Sequence, residues 1–134
     1  MAEKTLFELV SPARLLVSES VDMVVVPGAE GDFGAMPRHS PLISNVRPGV
    51  IDVHDEGKIT SRTFVSGGFA EVTEERVTVL AEEAIPVAEV TKALAAERRA
   101  KATEALDAAK SDREKAHAEL LMEVATVMDA VAAH

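Results

Sequence analysis

The feature that most constrains this chain is an abrupt change of composition at residues 85–86, Ile-Pro. All seven glycines, all four phenylalanines and five of the six prolines precede Pro86. The segment that follows is rich in Ala, Glu, Lys and Leu and contains no glycine. Glycine, proline and β-branched residues are typical of strands and turns, whereas Ala, Glu, Lys and Leu favour helices. The sequence therefore predicts two domains, with strands in residues 1–85 and helices in residues 86–134.

Short apolar runs broken by turn residues fill the first domain. Residues 50–54 alternate between the two faces, with Ile51 and Val53 on one side, which predicts a half-buried strand. The tripeptide Asp-Glu-Gly at residues 55–57 predicts a hairpin turn after that strand. Several short strands with turn signals roughly every 8–12 residues are typical of an all-β sandwich or barrel.

The second domain is predicted to be an antiparallel hairpin of two helices. Pro86 is tolerated at the first position of a helix, and Ser111 with Glu114 forms a capping box that predicts the start of the second helix. Much of the remaining helix surface is alanine, which buries little apolar area, so we expect a loosely packed hairpin whose larger apolar side chains seek another surface. These side chains recur at helical spacing and are Leu94, Leu106, Leu120, Leu121, Val124, Val127, Met128 and Val131.

Composition excludes several classes of function. A net charge of −9 opposes binding to nucleic acid and to anionic lipid, but it suits a protein partner with a basic surface. The absence of cysteine excludes disulfides, zinc–thiolate sites and thiol nucleophiles. No apolar run approaches the roughly 20 residues that span a bilayer, and the N-terminus lacks the profile of a signal peptide. We therefore expect a soluble protein without direct membrane insertion.

The segment GDFGAMPRHSPLI, residues 31–43, permits three functions: a phosphate loop, a catalytic histidine or a shaped contact surface. Gly31 and Gly34 are not followed by Lys-Ser/Thr, and no helix is predicted after them, so a phosphate loop is disfavoured. His39 lacks a suitably placed nucleophile, because neighbouring residues on a strand, such as Ser40, point to opposite sides. No pair of histidines has metal-ligand spacing. We expect no catalytic residue and no metal, and glycines that permit positive φ in tight turns.

Four sequence blocks together resemble a known family. The blocks VPGAEGDFGAMPRHSPL, VRPGVIDV, FVSGGFAEV and VTVLAEEAI occur in an order and spacing similar to those of the epsilon subunit of the bacterial F-type ATP synthase, called delta in mitochondria. The resemblance covers the whole β domain, and a helical hairpin follows where the family has one. It implies a β-sandwich of about ten strands, followed by that hairpin.

The resemblance also implies a function. Such a subunit belongs to the central stalk, binds the gamma subunit and the c ring, and rotates with them. It couples ion flow through the ring to ATP synthesis or hydrolysis in the alpha/beta catalytic head, which the hairpin contacts transiently. It is non-catalytic, binds no nucleic acid, and lies peripherally at the cytoplasmic face of the bacterial inner membrane.

Individual residues acquire roles by the same resemblance. Asp32 is the residue expected to pair with a basic or polar loop of a c subunit, while His39 is expected chiefly to hold its loop by hydrogen bonds. From the sequence itself, the glycine pair at residues 67–68 predicts a bulge or the close approach of another backbone, and Pro41 is expected to direct the chain so that Leu42 is buried. The residues assigned to the loop facing the c ring are Gly31, Asp32, Phe33, Gly34, Arg38 and His39. The candidates for the gamma interface are Pro41, Leu42, Ser66, Gly67, Gly68 and Phe69.

The hairpin departs from the family in two respects. Members that bind ATP carry an acid and an arginine in the first helix, where this chain has Thr91 and Leu94, so we expect no nucleotide cofactor. The stretch of the last helix at residues 118–134 carries Glu119, Glu123 and Asp129 but no lysine or arginine. It would repel the acidic catalytic head, and we expect at most weak inhibition of ATP hydrolysis, or inhibition through its apolar side chains. The alternative function is a nucleotide-sensing regulatory module of the same fold that binds ATP.

Overall fold

A computed structural model of the chain describes residues 3–133, and its contacts divide the chain into two compact units between Ile85 and Pro86. The described residues form ten strands before two helices, which confirms the predicted fold class. The strands are β1 (Thr5–Val10), β2 (Leu15–Val21), β3 (Met23–Gly28), β4 (Gly31–Ala35), β5 (Leu42–Val46), β6 (Gly49–Asp55), β7 (Lys58–Val65), β8 (Gly68–Val72), β9 (Arg76–Ala81) and β10 (Ala84–Pro86).

The strands form one curled sheet that folds over as a β-sandwich. Their order is β10-β7-β6-β3-β5-β8-β9-β1-β2, and β4 pairs with β3. Strands joined by hairpins are antiparallel, whereas β1 and β9 are parallel. The parallel pairing brings the start of the chain beside the end of the β domain, so the sandwich does not depend on local hairpins alone.

The core of the sandwich is built mainly from small aliphatic side chains. The predicted alternation is confirmed in β6, where Ile51 and Val53 are buried and the flanking Asp52 and His54 are partly exposed. This period of two is the pattern expected of a sheet with one buried face. The buried core cluster comprises Phe7, Leu9, Val21, Val24, Val26, Ala35, Val46, Ile51, Val53, Val65, Ala70, Val72, Val77, Val79 and Ala81.

The predicted turn at residues 55–57 is confirmed as the tight hairpin between β6 and β7. Its two loop residues both have positive φ, 54° at Glu56 and 79° at Gly57. Two-residue hairpins favour this geometry because its twist matches that of the flanking strands.

The connections between strands gather at two ends of the sandwich. One end, which we call the Asp32 end, carries the connections at residues 11–14, 29–30, 47–48, 66–67 and 82–83. Backbone hydrogen bonds join neighbouring connections there, such as Ser66 N to Glu83 O at 3.1 Å. The other end, the His39 end, carries the connections at residues 22, 36–41, 56–57 and 73–75. There Arg38 N donates to Glu74 O at 2.7 Å.

The helical unit begins later than predicted. Pro86 is the last residue of β10 and not the first residue of a helix; a short 3₁₀ turn, Val87–Glu89, follows it. Helix α1, Lys92–Ala108, starts after Thr91, whose hydroxyl accepts a hydrogen bond from Leu94 N at 3.1 Å. A threonine side chain that satisfies a free amide of the first turn fixes the start of a helix more strongly than a permissive proline does.

The predicted capping box is present at the start of helix α2, Asp112–Ala132. Ser111 Oγ accepts a hydrogen bond from Glu114 N at 3.1 Å. The return bond differs from the standard arrangement, because Glu114 Oε1 accepts from Lys110 N at 3.2 Å. Both bonds satisfy backbone amides that have no partner within the helix.

Alanines account for most of the buried residues of the two helices. Ala95 and Ala102 of α1 and Ala118 and Ala125 of α2 are buried, each pair spaced by two helical turns. Small side chains at this spacing let two helices approach closely. Lys92 Nζ lies 3.2 Å from Asp129 Oδ1, which ties the start of α1 to the end of α2.

The predicted apolar stripe is divided rather than continuous. Val124 and Met128 are buried, whereas the side chains of Leu106 and Leu120 are 37% and 45% exposed. The other four members, Leu94, Leu121, Val127 and Val131, are partly exposed. The eight side chains therefore do not form one outward-facing surface.

Candidate docking surfaces of the sandwich

Residues 31–43 are not the single loop that the sequence suggested. Gly31–Ala35 is strand β4, and a turn separates it from β5. Five residues of strand cover about 13 Å at roughly 3.3 Å per residue. The predicted c-ring-facing set is therefore split: Asp32 lies at one end of the sandwich, and Arg38 and His39 lie at the other.

Asp32 lies near the turn between β3 and β4, and its side chain is 61% exposed. Arg47 Nη2 donates to Asp32 Oδ1 at 2.5 Å, and Arg47 Nη1 donates to Gly28 O at 2.5 Å. Sequence reasoning missed Arg47, because the two partners are far apart in the chain and meet only through the pairing of β3 with β5. Arg47 does lie in VRPGVIDV, one of the four sequence blocks that carry the family resemblance.

The two glycines of β4 serve different purposes. Gly31 has φ 135°, which fits the predicted role in a tight turn. The prediction is wrong for Gly34, because its φ is not positive. A side chain at Gly34 would instead lie 3.0 Å from Met23 Sδ. Phe33 between them is partly buried and packs against the core.

The turn at the His39 end is held by several local bonds. Arg38 has φ 68°, and its guanidinium contacts Glu3 Oε1 at 2.8 Å. His39 Nδ1 lies 2.7 Å from Ser40 O, and His39 N donates to Met36 O at 3.1 Å. His39 thus makes the loop-holding hydrogen bonds expected of it.

A cluster of charges around Lys4 joins the start of the chain to two further segments at the His39 end. Lys4 Nζ contacts the carboxylates of Asp22 and Glu56, each at 3.2 Å, and that of Asp55. The hydrogen bond to Asp55, with those to the other two acids, raises the pKa of Lys4 above its ordinary value. The hydrogen bond from Glu56 N, followed by that from Lys4, lowers the pKa of Asp22. Each charged form is therefore stabilised in the folded chain.

An apolar row crosses the outer face of the sheet beside the Asp32 end. Phe69 of β8 pairs with Leu80 of β9, Leu80 with Val10 of β1, and Val10 with Leu15 of β2. Residues directly opposite on neighbouring strands point to the same face. Phe69, Leu80 and Leu15 are 40%, 50% and 54% exposed, and Val10 is partly exposed. We call these four residues the apolar row; of them, sequence reasoning selected only Phe69.

A shallow groove of about 170 Å³ adjoins the apolar row. Its lining includes row members Val10 and Leu80 together with the turn residues Ser11 and Pro12. The groove extends the row toward the Asp32 end, so apolar and polar surfaces meet at one corner of the sandwich.

The glycine pair beside Phe69 confirms the prediction of a close backbone approach. At Gly68, φ is 150°, and a Cβ atom would lie 2.0 Å from Leu80 O. Gly67 has φ 132°, and its carbonyl accepts from Glu82 N at 3.1 Å. The pair shapes the backbone at the edge of the apolar row.

The predicted gamma-interface residues do not form one surface. Residues 66–69 lie at the Asp32 end, whereas Pro41 precedes β5 and Leu42 begins it at the His39 end. Pro41 is exposed, while Leu42 is partly buried against the core rather than fully buried. The structure therefore brings only the first group next to the apolar row.

The described residues hold neither a candidate metal site nor a helix that could span a membrane. Within residues 3–133, His, Asp and Glu side chains form no group of three or more that could hold a metal ion. Neither helix is long and apolar enough to cross a membrane.

Comparison with known proteins identifies the family. Residues 4–87 match the β-sandwich domain of the ATP synthase delta/epsilon chain. The chain belongs to the ATP synthase epsilon family. It is 68% identical to the ATP synthase epsilon chain of Paramagnetospirillum magneticum over 99% of this chain and 100% of the relative. It is 52% identical to that of Maricaulis maris over the full length of both. The resemblance predicted from the four sequence blocks is confirmed.

Solved structures agree on the fold of this epsilon-family chain. A chain in the mitochondrial ATP synthase of Euglena gracilis, described as OSCP/F1/c-ring, has a TM-score of 0.79 at 23% identity, covering 100% of this chain and 84% of that chain. A chain in the central stalk/c-ring structure of the Tetrahymena thermophila mitochondrial ATP synthase has a TM-score of 0.71 at 11% identity, covering 97% of both chains. At these identities, the likeness concerns the fold.

Proposed function

We propose that this ATP synthase subunit is part of the rotor and couples ion flow through the c ring to ATP synthesis and hydrolysis. The observation that carries the proposal is the corner where the apolar row meets the polar Asp32 end. A rotor subunit between two partners needs two adjoining contact surfaces of different chemistry. The structural relative from Tetrahymena comes from an assembly of central stalk and c ring, which supports this arrangement.

The apolar row is the surface we assign to the gamma subunit. Exposed Phe and Leu side chains that lie side by side on one sheet face are typical of the centre of a protein interface. Glu71, two residues along β8 from Phe69, and Arg76, paired with Glu8 at 3.5 Å, lie near the row and would form a charged rim. Residues 66–69 border the row and belong to the same contact.

The Asp32 end is the surface we assign to the polar loops of the c ring. It presents Asp32 and Arg47 together with Arg14, Glu30 and Glu82, which are exposed. Mixed charges of this kind suit polar loops of a partner rather than a lipid surface. The subunit would then lie at the cytoplasmic face of the bacterial inner membrane, held there through the complex and without a catalytic role of its own.

The hairpin is proposed to be a weak regulator. Beyond Lys115 the last helix contains no lysine or arginine, and Asp129 is engaged by Lys92. An acidic helix cannot pair with an acidic surface of the alpha/beta catalytic head. Any contact of the hairpin with that head would depend on exposed apolar side chains such as Leu120.

Co-purification with the gamma subunit and the c ring tests the rotor assignment. We expect Leu80→Asp to reduce recovery of gamma at least about tenfold, because it places a charge in the centre of an apolar contact. Ile59→Asp is the matched control, since Ile59 is similarly exposed, at 48%, but lies on β7 outside the apolar row. Equal loss of gamma with both variants, or no loss with either, would contradict the assignment.

Asp32→Lys should weaken retention on the c ring and leave gamma binding intact.

A further inference from the structure

We infer that Arg47 is a positioning residue that sets the orientation of the Asp32 carboxylate for its contact with the c ring. Only the proposed function gives Asp32 a contact outside this chain, namely the c ring, so the inference rests on that function. Arg47 itself is not required to touch the partner; it acts through Asp32.

The first support is the pair of hydrogen bonds that Arg47 makes. Its two terminal nitrogens donate to Gly28 O on β3 and to Asp32 Oδ1 on β4, each at 2.5 Å. One planar guanidinium thus bridges both strands of the β3–β4 hairpin. A fixed fork of donors imposes direction as well as distance, which a lysine ammonium cannot do in the same way.

The second support is the rigidity of the backbone that carries Arg47. Arg47 N donates to Pro27 O at 2.9 Å, and Ala29 N donates to Asn45 O at 2.8 Å. Pro27 and Pro48 are buried, and proline fixes φ at both places. The backbone that carries the Arg47 guanidinium therefore has little freedom to move.

The third support is the state of Asp32. Its side chain is 61% exposed, and in the described part of the chain its second oxygen, Oδ2, has no hydrogen-bond partner. The carboxylate thus offers an outward acceptor oxygen while the other oxygen is held. An exposed ion pair contributes little to folding stability, so orientation is the property that this pair supplies.

Positioning and simple charge attraction predict opposite results when Arg47 is removed. If the partner were attracted only by negative charge, Arg47→Met would strengthen binding, because it leaves Asp32 without a neighbouring cation. If Arg47 orients the carboxylate, Arg47→Met weakens binding by freeing the side chain to rotate. The sign of the change therefore separates the two explanations.

The experiment is a double-mutant cycle on the complete enzyme. Membranes carrying ATP synthase depleted of this subunit are titrated with the labelled chain, with Asp32→Asn, with Arg47→Met and with the double variant. We expect each single variant to bind at least about fivefold more weakly. The double variant should bind no more weakly than Asp32→Asn alone, because Arg47 acts through Asp32. Thermal unfolding of each free variant, followed by circular dichroism, should show a melting temperature within a few degrees of the unaltered chain.

Arg62→Met is the matched control. Arg62 forms an exposed pair with Asp52 at 2.7 Å on β6 and β7, away from the Asp32 end, so its loss should leave binding unchanged. The inference is overturned if Arg47→Met weakens binding by the same factor with and without Asp32, or if it strengthens binding. If Asp32→Asn binds like the unaltered chain, the assignment of this end to the c ring fails instead, and the inference fails with it.

Discussion

At the scale of single residues, Gly68 is the glycine at which an added Cβ atom would make the shortest contact. A side chain there would meet Leu80 O at 2.0 Å, and the backbone has a φ that favours glycine. We expect Gly68→Ala to lower the free energy of unfolding by about 3 kcal/mol or more, because both the clash and the backbone strain must be relieved. Urea denaturation of the free chain measures the change.

Gly57→Ala is the control for this prediction. Gly57 also has positive φ, 79°, but a side chain there would meet nothing within 4 Å. We expect Gly57→Ala to lower the free energy of unfolding only by the backbone preference for glycine, about 1 kcal/mol. Equal destabilisation by the two substitutions would show that the contact with Leu80 is unimportant.

Residue-scale contacts were the part of the candidate site that the sequence could not predict. Asp32 was selected correctly as an exposed acid, but its partner Arg47 approaches only through the pairing of Gly28 with Val46. Likewise, Leu80 and Leu15 join the apolar row through strand register, which a single sequence does not reveal. The sequence predicted a turn at Gly34 because glycine is common in turns. Its actual conformation is set by the pairing of β4 with β3, which the sequence does not reveal.

At the scale of elements, the cluster around Lys4 links β1 to the turn before β3 and to the β6–β7 hairpin. Removing its charge with Lys4→Met leaves Asp22, Asp55 and Glu56 close together without their cation. We expect the melting temperature at neutral pH to fall by a few degrees. Lys58→Met is the control, because it removes a positive charge near the same hairpin but no ion pair of this cluster.

The pH dependence of this difference follows from the two pKa shifts. The pKa of Lys4 is raised above its ordinary 10.5, so its contribution is complete below that pH and is lost only at higher pH. The pKa of Asp22 is lowered from its ordinary 3.8, so its contribution is present above that pH and is lost as the pH falls through the lowered value. The difference in melting temperature between the unaltered chain and Lys4→Met should therefore be constant from about pH 5 to pH 9 and shrink in strong acid. A difference that grows on acidification would contradict this account.

Elements defined by local signals were predicted well. The alternation at residues 50–54, the hairpin turn at residues 55–57 and the capping box at Ser111 each depend on side chains within a few residues of one another. Predictions failed where a competing local bond or a distant partner decided the outcome. Helix α1 begins only after Thr91, because the Thr91 side chain caps its first turn. Residues 31–35 form a strand because they pair with β3.

At the scale of the whole molecule, the proposed function places two chemically distinct contact surfaces, the apolar row and the Asp32 end, on one sandwich. The core is continuous beneath both the apolar row and the Asp32 end, as the shared cluster of buried side chains indicates. A load applied at one surface is therefore transmitted to the other by packed strands rather than by a flexible linker. The coupling role that we propose requires this property.

The proposed role of the hairpin, weak regulation, also rests on charge. With a net charge of −9 and Glu119, Glu123 and Asp129 on the last helix, the hairpin should not latch onto an acidic catalytic head. We expect reconstituted ATP synthase to hydrolyse ATP at rates within about twofold whether the subunit is complete or lacks residues 87–134. A several-fold rise on truncation would contradict weak inhibition. The combined substitution Glu119→Lys and Glu123→Lys should create inhibition in the full chain, because it supplies the basic charges that the natural helix lacks.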